Sequence, residues 1–283
     1  MQISIIIPAY NEENAIYGVL KSVGNLKIPG EILVIDDGSR DNTYVNALGA
    51  AREVPGIKII RHEVNRGYGA SIKTGMRNAL GDIIVICDAD GTYPIADIPK
   101  LVDYVKNQDY DMAVGARSMQ TVPLMRRPAK WLLNKLANYL VDYKIPDLNS
   151  GLRAFRKDIA LKYFSLLPSG FSLTTTLTLA LISNNHRVKF IAIAYNKRTG
   201  SSKIRPVRDT LNFLQLIIRM IVYFNPLKVF LPMSLFLFLA GGLILGFHLF
   251  TSGNLGETEV ITLNTAFIIL IFGFLADLIS RKA

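Results

Sequence analysis

Residues 83–91 read Ile-Ile-Val-Ile-Cys-Asp-Ala-Asp-Gly. A short apolar, mostly β-branched run closed by acidic residues and glycine predicts a strand buried on both faces. The pattern recurs on either side. Ile3–Ile7 leads into Pro8-Ala9-Tyr10-Asn11-Glu12-Glu13, Glu31–Ile35 into Asp36-Asp37-Gly38-Ser39, and Met112–Gly115 into Ala116-Arg117. Ile57–Arg61 and Val188–Ile193 read as further strands. Helical spacing predicts helices over 12–24, 41–52, 67–80, 95–107, 124–142 and 171–185, with Asp41 or Asn42 as one cap and Glu12 and Glu13 suited to a first turn. Alternating strands and helices with short connections predict an α/β domain, its mostly parallel sheet covered by helices on both faces. Ligands of such sheets bind outside the carboxyl ends of the strands. The clusters Tyr10–Glu12, Asp36–Asp37, Asp88–Asp90 and Arg117 all fall there.

The composition changes after about residue 205. Residues 206–227 mix apolar residues with Arg208, Asp209 and Arg219, the pattern of a juxtamembrane amphipathic helix. Residues 228–283 hold two nearly uninterrupted apolar runs, about 229–251 and 260–280. Each is long enough to cross a hydrocarbon core of about 30 Å. Lys228 precedes the first and Arg281-Lys282 follow the second, while the linker carries two Glu and no Lys or Arg. The distribution of basic residues predicts an integral membrane protein with both termini and the 1–205 domain on the cytoplasmic side. The N-terminus lacks the basic region of a signal peptide.

The formal net charge is +10, with much of the Lys and Arg between residues 117 and 228. That placement favours a membrane face and phosphate ligands, and no nucleic acid partner is expected. The single cysteine, Cys87, closes an apolar run and reads as a buried strand residue. His62, His186 and His248 show no ligand spacing and read as structural.

Two carboxylates one residue apart at a buried strand end repel each other unless a cation lies beside them. Asp88 and Asp90 therefore suit Mg²⁺ or Mn²⁺, which prefer oxygen ligands and neutralise a departing diphosphate; a polar loop is the plainer alternative. Asp36 can meet a base or ribose edge, or simply belong to a turn. Tyr10 can pack on a base. Arg117 faces the acidic clusters and is placed to hold a phosphate, unless a carboxylate such as Asp111 pairs with it. Arg126, Arg127 and Arg153 can serve a second phosphate or a membrane-facing surface. The loop from Lys197 to Lys203 is basic, has Gly200 at its middle, and suits closure over a diphosphate or contact with anionic lipid.

These motifs, with Asn65-Arg66-Gly67-Tyr68-Gly69 and Ser150-Gly151-Leu152-Arg153, occur in one order along residues 3–205. Together they resemble the family-2 inverting glycosyltransferases of GT-A (Rossmann-like) fold. More narrowly, they resemble the polyprenyl-phosphate group that includes dolichol-phosphate mannose synthases and undecaprenyl-phosphate glucosyltransferases. The resemblance implies a nucleotide-sugar donor held by Pro8, Tyr10, Glu12, Val34, Asp36, Asp88, Ala89, Asp90 and Arg117. Asp90 would be the main metal ligand, with Asp88 beside it. Arg198 (or Lys197) and Lys203 would clamp the donor. Arg126 or Arg127, with Ser150 and Arg153, would approach the phosphate of a polyprenyl-phosphate lipid. The synthases often carry Gln or Ser plus His after D-A-D, where this chain has Gly91-Thr92-Tyr93-Pro94.

The implied reaction is one displacement that moves a hexose, of GDP-mannose or UDP-glucose type, with inversion. Asp147 is the candidate base or orienting carboxylate. A processive polysaccharide synthase would carry Q-x-x-R-W, yet the only Trp is Trp131 in Pro-Ala-Lys-Trp. The rivals are a glycosyltransferase acting on a non-phosphate lipid and a membrane-tethered nucleotide-binding module. Gly241-Gly242 and Gly246 would allow homo-oligomers through the spans.

Overall fold

A computed structural model describes residues 1–26, 28–117, 143–170, 172–194, 225–253 and 255–280, with isolated positions 135, 138, 139 and 223. The expected helix over 124–142 and the amphipathic helix over 206–227 lie almost wholly outside the described residues. The chain forms two compact units, Met1–Phe213 and Leu214–Ala283.

The first unit is a seven-stranded mixed sheet. Its elements are β1 (Ile3–Ala9), α1 (Ile16–Asn25), β2 (Gly30–Asp36), α2 (Thr43–Glu53), β3 (Ile57–Arg61), α3 (Tyr68–Asn78), β4 (Ile83–Ile86), α4 (Ile98–Lys106), β5 (Met112–Arg117), β6 (Arg153–Arg156), α5 (Lys157–Lys162), α6 (Leu173–Ser183) and β7 (Val188–Ile193). The strand order is β3-β2-β1-β4-β6-β5-β7. β1 pairs in parallel with both β2 and β4, so the chain reverses its direction of travel across the sheet at this point. Ligands of open α/β sheets bind at such a reversal.

Alternate residues of each strand serve opposite faces. Ile5, Ile7, Val34, Val85 and Cys87 join Ile16, Leu20, Ala47 and Leu101 in one core cluster. On the other face Ile6 meets α3, where Gly75 leaves no room between helix and strand: a Cβ there would come 2.5 Å from Ile6 Cγ2. Burying one such Ile contributes roughly 1.5–3 kcal/mol.

β6 departs from expectation. The sequence Arg153-Ala154-Phe155-Arg156 lacks an apolar run, yet it enters the sheet antiparallel between β4 and β5. Its neighbours on both sides supply the burial that its own composition does not advertise. The first helix also starts later than expected. α1 has no acidic residue in its first turn. Glu13 serves the neighbouring helix instead, because its Oε2 accepts the Asn42 N–H at 3.0 Å. The helix expected over 95–107 divides into a 3₁₀ turn at Ile95–Asp97 and α4, which has Pro99 in its opening turn.

The second unit contains α7 (Leu227–Ser252) and α8 (Glu257–Ser280). Their apolar stretches, 25 and 24 residues with mean hydropathy 2.2 and 2.0, are long enough to cross a bilayer. Phe236, Leu243 and Phe250 stand exposed on α7, as residues facing acyl chains would. At the turn between the helices, His248 Nδ1 lies 3.1 Å from the Oε2 of buried Glu259.

Candidate active site

The register brings the polar clusters together. Ala9 is level with Asp36, and Ile6 with Ile86, so β1, β2 and β4 release their chains side by side. The first two loops are then stitched to each other. Asn11 N–H donates to Ser39 Oγ at 3.0 Å, Glu12 N–H to Thr43 Oγ1 at 2.7 Å, and Arg40 N–H to Asn11 Oδ1 at 2.9 Å. Asn11 takes φ +50°, a conformation that asparagine tolerates better than most residues.

Asp36 and Asp37 are both buried. Asp36 Oδ1 accepts the Ser39 N–H at 3.1 Å, and its Oδ2 lies 3.0 Å from Arg61 Nε. The Arg61 guanidinium stacks on Tyr44, 4.6 Å from the ring centre. Asp37 instead organises the next loop. It accepts the Arg66 and Gly67 N–H groups at 2.9 and 2.8 Å, and its Oδ1 lies 2.7 Å from His62 Nδ1. Gly67 has φ +98°, which a side chain would oppose.

That loop delivers Tyr68, whose hydroxyl donates to Asp88 Oδ1 at 2.8 Å. Burial and the Asp88 charge hold the phenol well above its usual pKa, so it remains a donor. Asp90 accepts both the N–H and the hydroxyl of Thr92, at 3.1 and 2.6 Å. A cavity of about 620 Å³ lies between α1 and the loop after β4, lined by Val19, Ser22, Asp90, Tyr93 and Pro94 among others. Among the described residues its walls carry no Lys or Arg.

Arg117 ends β5 and meets fully buried Asp147. Its Nε lies 2.7 Å from Oδ2, its Nη2 3.2 Å from Oδ1, and its backbone N–H 3.1 Å from Oδ2. The carboxylate that pairs with Arg117 is therefore Asp147, while Asp111 pairs with His186. Asp147 orients the guanidinium, and a carboxylate so engaged and buried is poorly suited to take a proton from a substrate.

Several of the expected site residues lie in the interior. Ser150 and Arg153 are both fully buried. Arg153 lies in the middle of the sheet and turns towards α6. Its Nη1 donates to the Thr174 carbonyl at 2.7 Å and to Thr178 Oγ1 at 3.0 Å, and its Nη2 donates to the Ser150 carbonyl. Burial lowers its pKa to about 10, which still leaves it charged at neutral pH. Val34 and Ala89 belong to the core cluster, so their side chains face inward. Pro8 is also buried, while Tyr10 and Glu12 remain part-exposed beside the strand ends. Arg126, Arg127, Lys197, Arg198 and Lys203 lie outside the described residues.

Sequence reasoning missed the tyrosines. Tyr68 stands within the motif Asn65–Gly69, at the start of a helix and beside the strand ends. Tyr93 Oη accepts the Gly151 N–H at 2.7 Å, across 58 residues of chain, and one sequence carries no sign of that pairing.

Residues 4–164 match Glycosyl transferase family 2, and residues 225–281 match the GtrB C-terminal hairpin. The chain belongs to glycosyl transferase family 2. The dolichyl-phosphate N-acetylglucosaminyltransferase of Methanococcus voltae, which uses UDP-N-acetylglucosamine, is 35% identical over 183 residues, covering 58% of this chain and 72% of that protein. The undecaprenyl-phosphate 4-deoxy-4-formamido-L-arabinose transferase of Sodalis glossinidius is 34% identical over 164 residues, which are 56% of this chain but only 50% of the relative. The family-2 chain thus spans about half the length of some curated relatives. Glucosyl-3-phosphoglycerate synthase from Mycobacterium tuberculosis, solved with Mn²⁺, UDP-glucose and phosphoglyceric acid, has the same fold. The TM-score is 0.63 at 19% identity, covering 78% of this chain and 79% of that one. The sheet is that of a GT-A glycosyltransferase.

Proposed function

We propose that this chain transfers one hexose from a nucleotide-sugar, of GDP-mannose or UDP-glucose type, to a polyprenyl monophosphate such as dolichyl or undecaprenyl phosphate. The observation that carries this reading is the placement of Asp88, Asp90 and Arg117 at the carboxyl ends of β4 and β5 on one edge of the sheet, in a chain that also carries an apolar hairpin. The relatives named for dolichyl- and undecaprenyl-phosphate transfer support the acceptor class.

The acidic pair suits a divalent ion. Among the described residues no group of three or more His, Cys, Asp or Glu converges on one point, so the chain offers an open carboxylate pair instead of a closed cage. Mg²⁺ or Mn²⁺ at a diphosphate needs only one or two carboxylates, the rest of its shell coming from phosphate and water. Asp90 would be the principal ligand and Asp88 its neighbour. When bound, the ion supplies charge neutralisation for the departing diphosphate.

The chain's own residues do the remaining work. Tyr10, Glu12 and Asp36 surround the place where the base and ribose would enter. Thr92 holds Asp90, and Tyr68 holds Asp88. Asp147 holds Arg117, which would face the phosphates of the donor. Arg126, Arg127, Arg198 and Lys203 complete this reading as acceptor and donor clamps. A phosphate monoester is already largely dianionic near neutral pH, with a second pKa of about 6. The acceptor oxygen can therefore attack without a strong base, and one displacement inverts the anomeric carbon. Positioning and charge stabilisation suffice.

In this reading residues 1–205 are the catalytic domain and lie on the cytoplasmic side, 206–227 run along the membrane surface, and 228–283 cross it twice. Incubating membranes that contain the chain with labelled nucleotide-sugars tests the function. A mild-acid-labile polyprenyl-phosphate sugar is expected; label appearing only in a neutral glycolipid would overturn the acceptor assignment.

A further inference from the structure

Asp88 is held from two sides by residues that the transfer itself does not use. On one side Tyr68 Oη donates to its Oδ1 at 2.8 Å. The backbone around Tyr68 is pinned by the Asp37 contacts to Arg66 and Gly67, and by the Ala70 N–H on the Ser169 carbonyl at 3.0 Å. On the other side Gly151 abuts the same carboxylate, so that a Cβ there would come 2.6 Å from Asp88 Oδ2. Gly151 is held in turn by the buried Tyr93 hydroxyl, which accepts its N–H at 2.7 Å. The Asp88 carboxylate sits between an anchored phenol and an anchored backbone.

The choice of donor matters. An aspartate carboxylate rotates over a broad torsional well, so an unanchored one must be ordered when ligand binds. A Lys or Arg could anchor it, but would also cancel the negative charge that a cation needs. A phenol fixes the direction and leaves the charge in place. Glycine at 151 lets the backbone approach without intruding on the oxygens.

We propose that Tyr68 is a positioning residue for the nucleotide-sugar: its hydroxyl fixes the Asp88 carboxylate in the orientation that receives the metal–diphosphate end of the donor. This rests on the reading of Asp88 and Asp90 as the donor site. Asp88 meets the donor in ground and transition states alike, so loss of the anchor should raise the donor KM and leave kcat nearly unchanged.

The test uses the full-length chain in detergent, with UDP or GDP and Mn²⁺ titrated against thermal unfolding. The wild type is expected to be stabilised by one of the two diphosphates. Tyr68→Phe should lower the unfolding temperature without ligand, because the bond is made in the free protein, and should in addition need roughly tenfold more diphosphate for an equal shift, because the released carboxylate must then be ordered on binding. In an Asp88→Asn background the same substitution should cost little further, because its effect runs through that carboxylate. Gly151→Ala keeps the phenol and displaces the carboxylate from the other side, so it should weaken diphosphate binding as well; it carries the comparison if Tyr68→Phe folds poorly. Wild-type affinity in Tyr68→Phe, or an equal loss in both backgrounds, would overturn the positioning role. If neither diphosphate stabilises the wild type, the donor-site reading fails, and this inference falls with it.

Discussion

Arg117 and Asp147 form a fork: Nε and Nη2 of the guanidinium lie 2.7 and 3.2 Å from the two carboxylate oxygens, and the Arg117 backbone N–H reaches the same group. The strand end and the side chain are thereby fixed together, 30 residues apart in sequence. Asp147 is fully buried while Arg117 keeps partial exposure, so the arginine is the member of the pair that can meet a ligand.

Substitution separates orientation from proton transfer. Asp147→Asn keeps the shape and weakens the fork, and should lower kcat/KM about tenfold. Loss of a general base would cost about 10²–10⁴-fold. Arg117→Lys keeps the charge and loses the fork, and should be the more damaging change. Initial transfer rates in membranes, normalised to protein, decide between the two roles. A larger loss in Asp147→Asn than in Arg117→Lys would return Asp147 to the role of base.

The burial of Arg153 gives a second prediction. Its contacts with Thr174, Thr178 and the Ser150 carbonyl are internal, so its removal should be felt first in stability. Arg153→Ala should cost about 2–5 kcal/mol through the buried acceptors left unpaired and the cavity left behind. Arg153→Lys should cost about 1–3 kcal/mol through the acceptors left unpaired. Thermal melts and resistance to proteolysis measure both. An unchanged melt combined with a raised KM for the lipid would place Arg153 at the acceptor after all.

The membrane orientation is open to a labelling test. Cys87 is the only cysteine and is buried, and burial raises its thiol pKa far above the usual range, so it should stay silent. Leu255→Cys adds an exposed thiol at the turn between α7 and α8. In intact cells a membrane-impermeant maleimide should label it. Labelling that requires lysis would invert the orientation.

The sequence was most legible where local chemistry and topology agree. β1, β2 and β4 are short apolar runs ending in polar clusters, and parallel pairing placed those clusters side by side as expected, while β5 runs the same way one strand further on, beyond antiparallel β6. β6 was not legible, because Arg153-Ala154-Phe155-Arg156 is a strand only through its neighbours. The same cause hid the internal contacts of Arg153. A motif arginine reads as a ligand contact until α6, rich in buried threonine, is seen to offer it an internal carbonyl and hydroxyl. Glu13 was read as a first-turn residue of its own helix, yet it accepts the Asn42 N–H at the start of α2, because the chain between β1 and α1 turns before the helix begins. The links from Tyr68 to Asp88 and from Tyr93 to Gly151 depend on long-range packing, and no spacing rule reports them.

The most direct measurement compares wild type and Asp90→Ala for metal-dependent transfer of labelled sugar to polyprenyl phosphate in washed membranes. The wild type should form a mild-acid-labile polyprenyl-phosphate sugar, lose that activity with EDTA and regain it with Mn²⁺ or Mg²⁺, while Asp90→Ala should be inactive at every metal concentration. Full transfer by Asp90→Ala, or by the EDTA-treated wild type, would contradict the account.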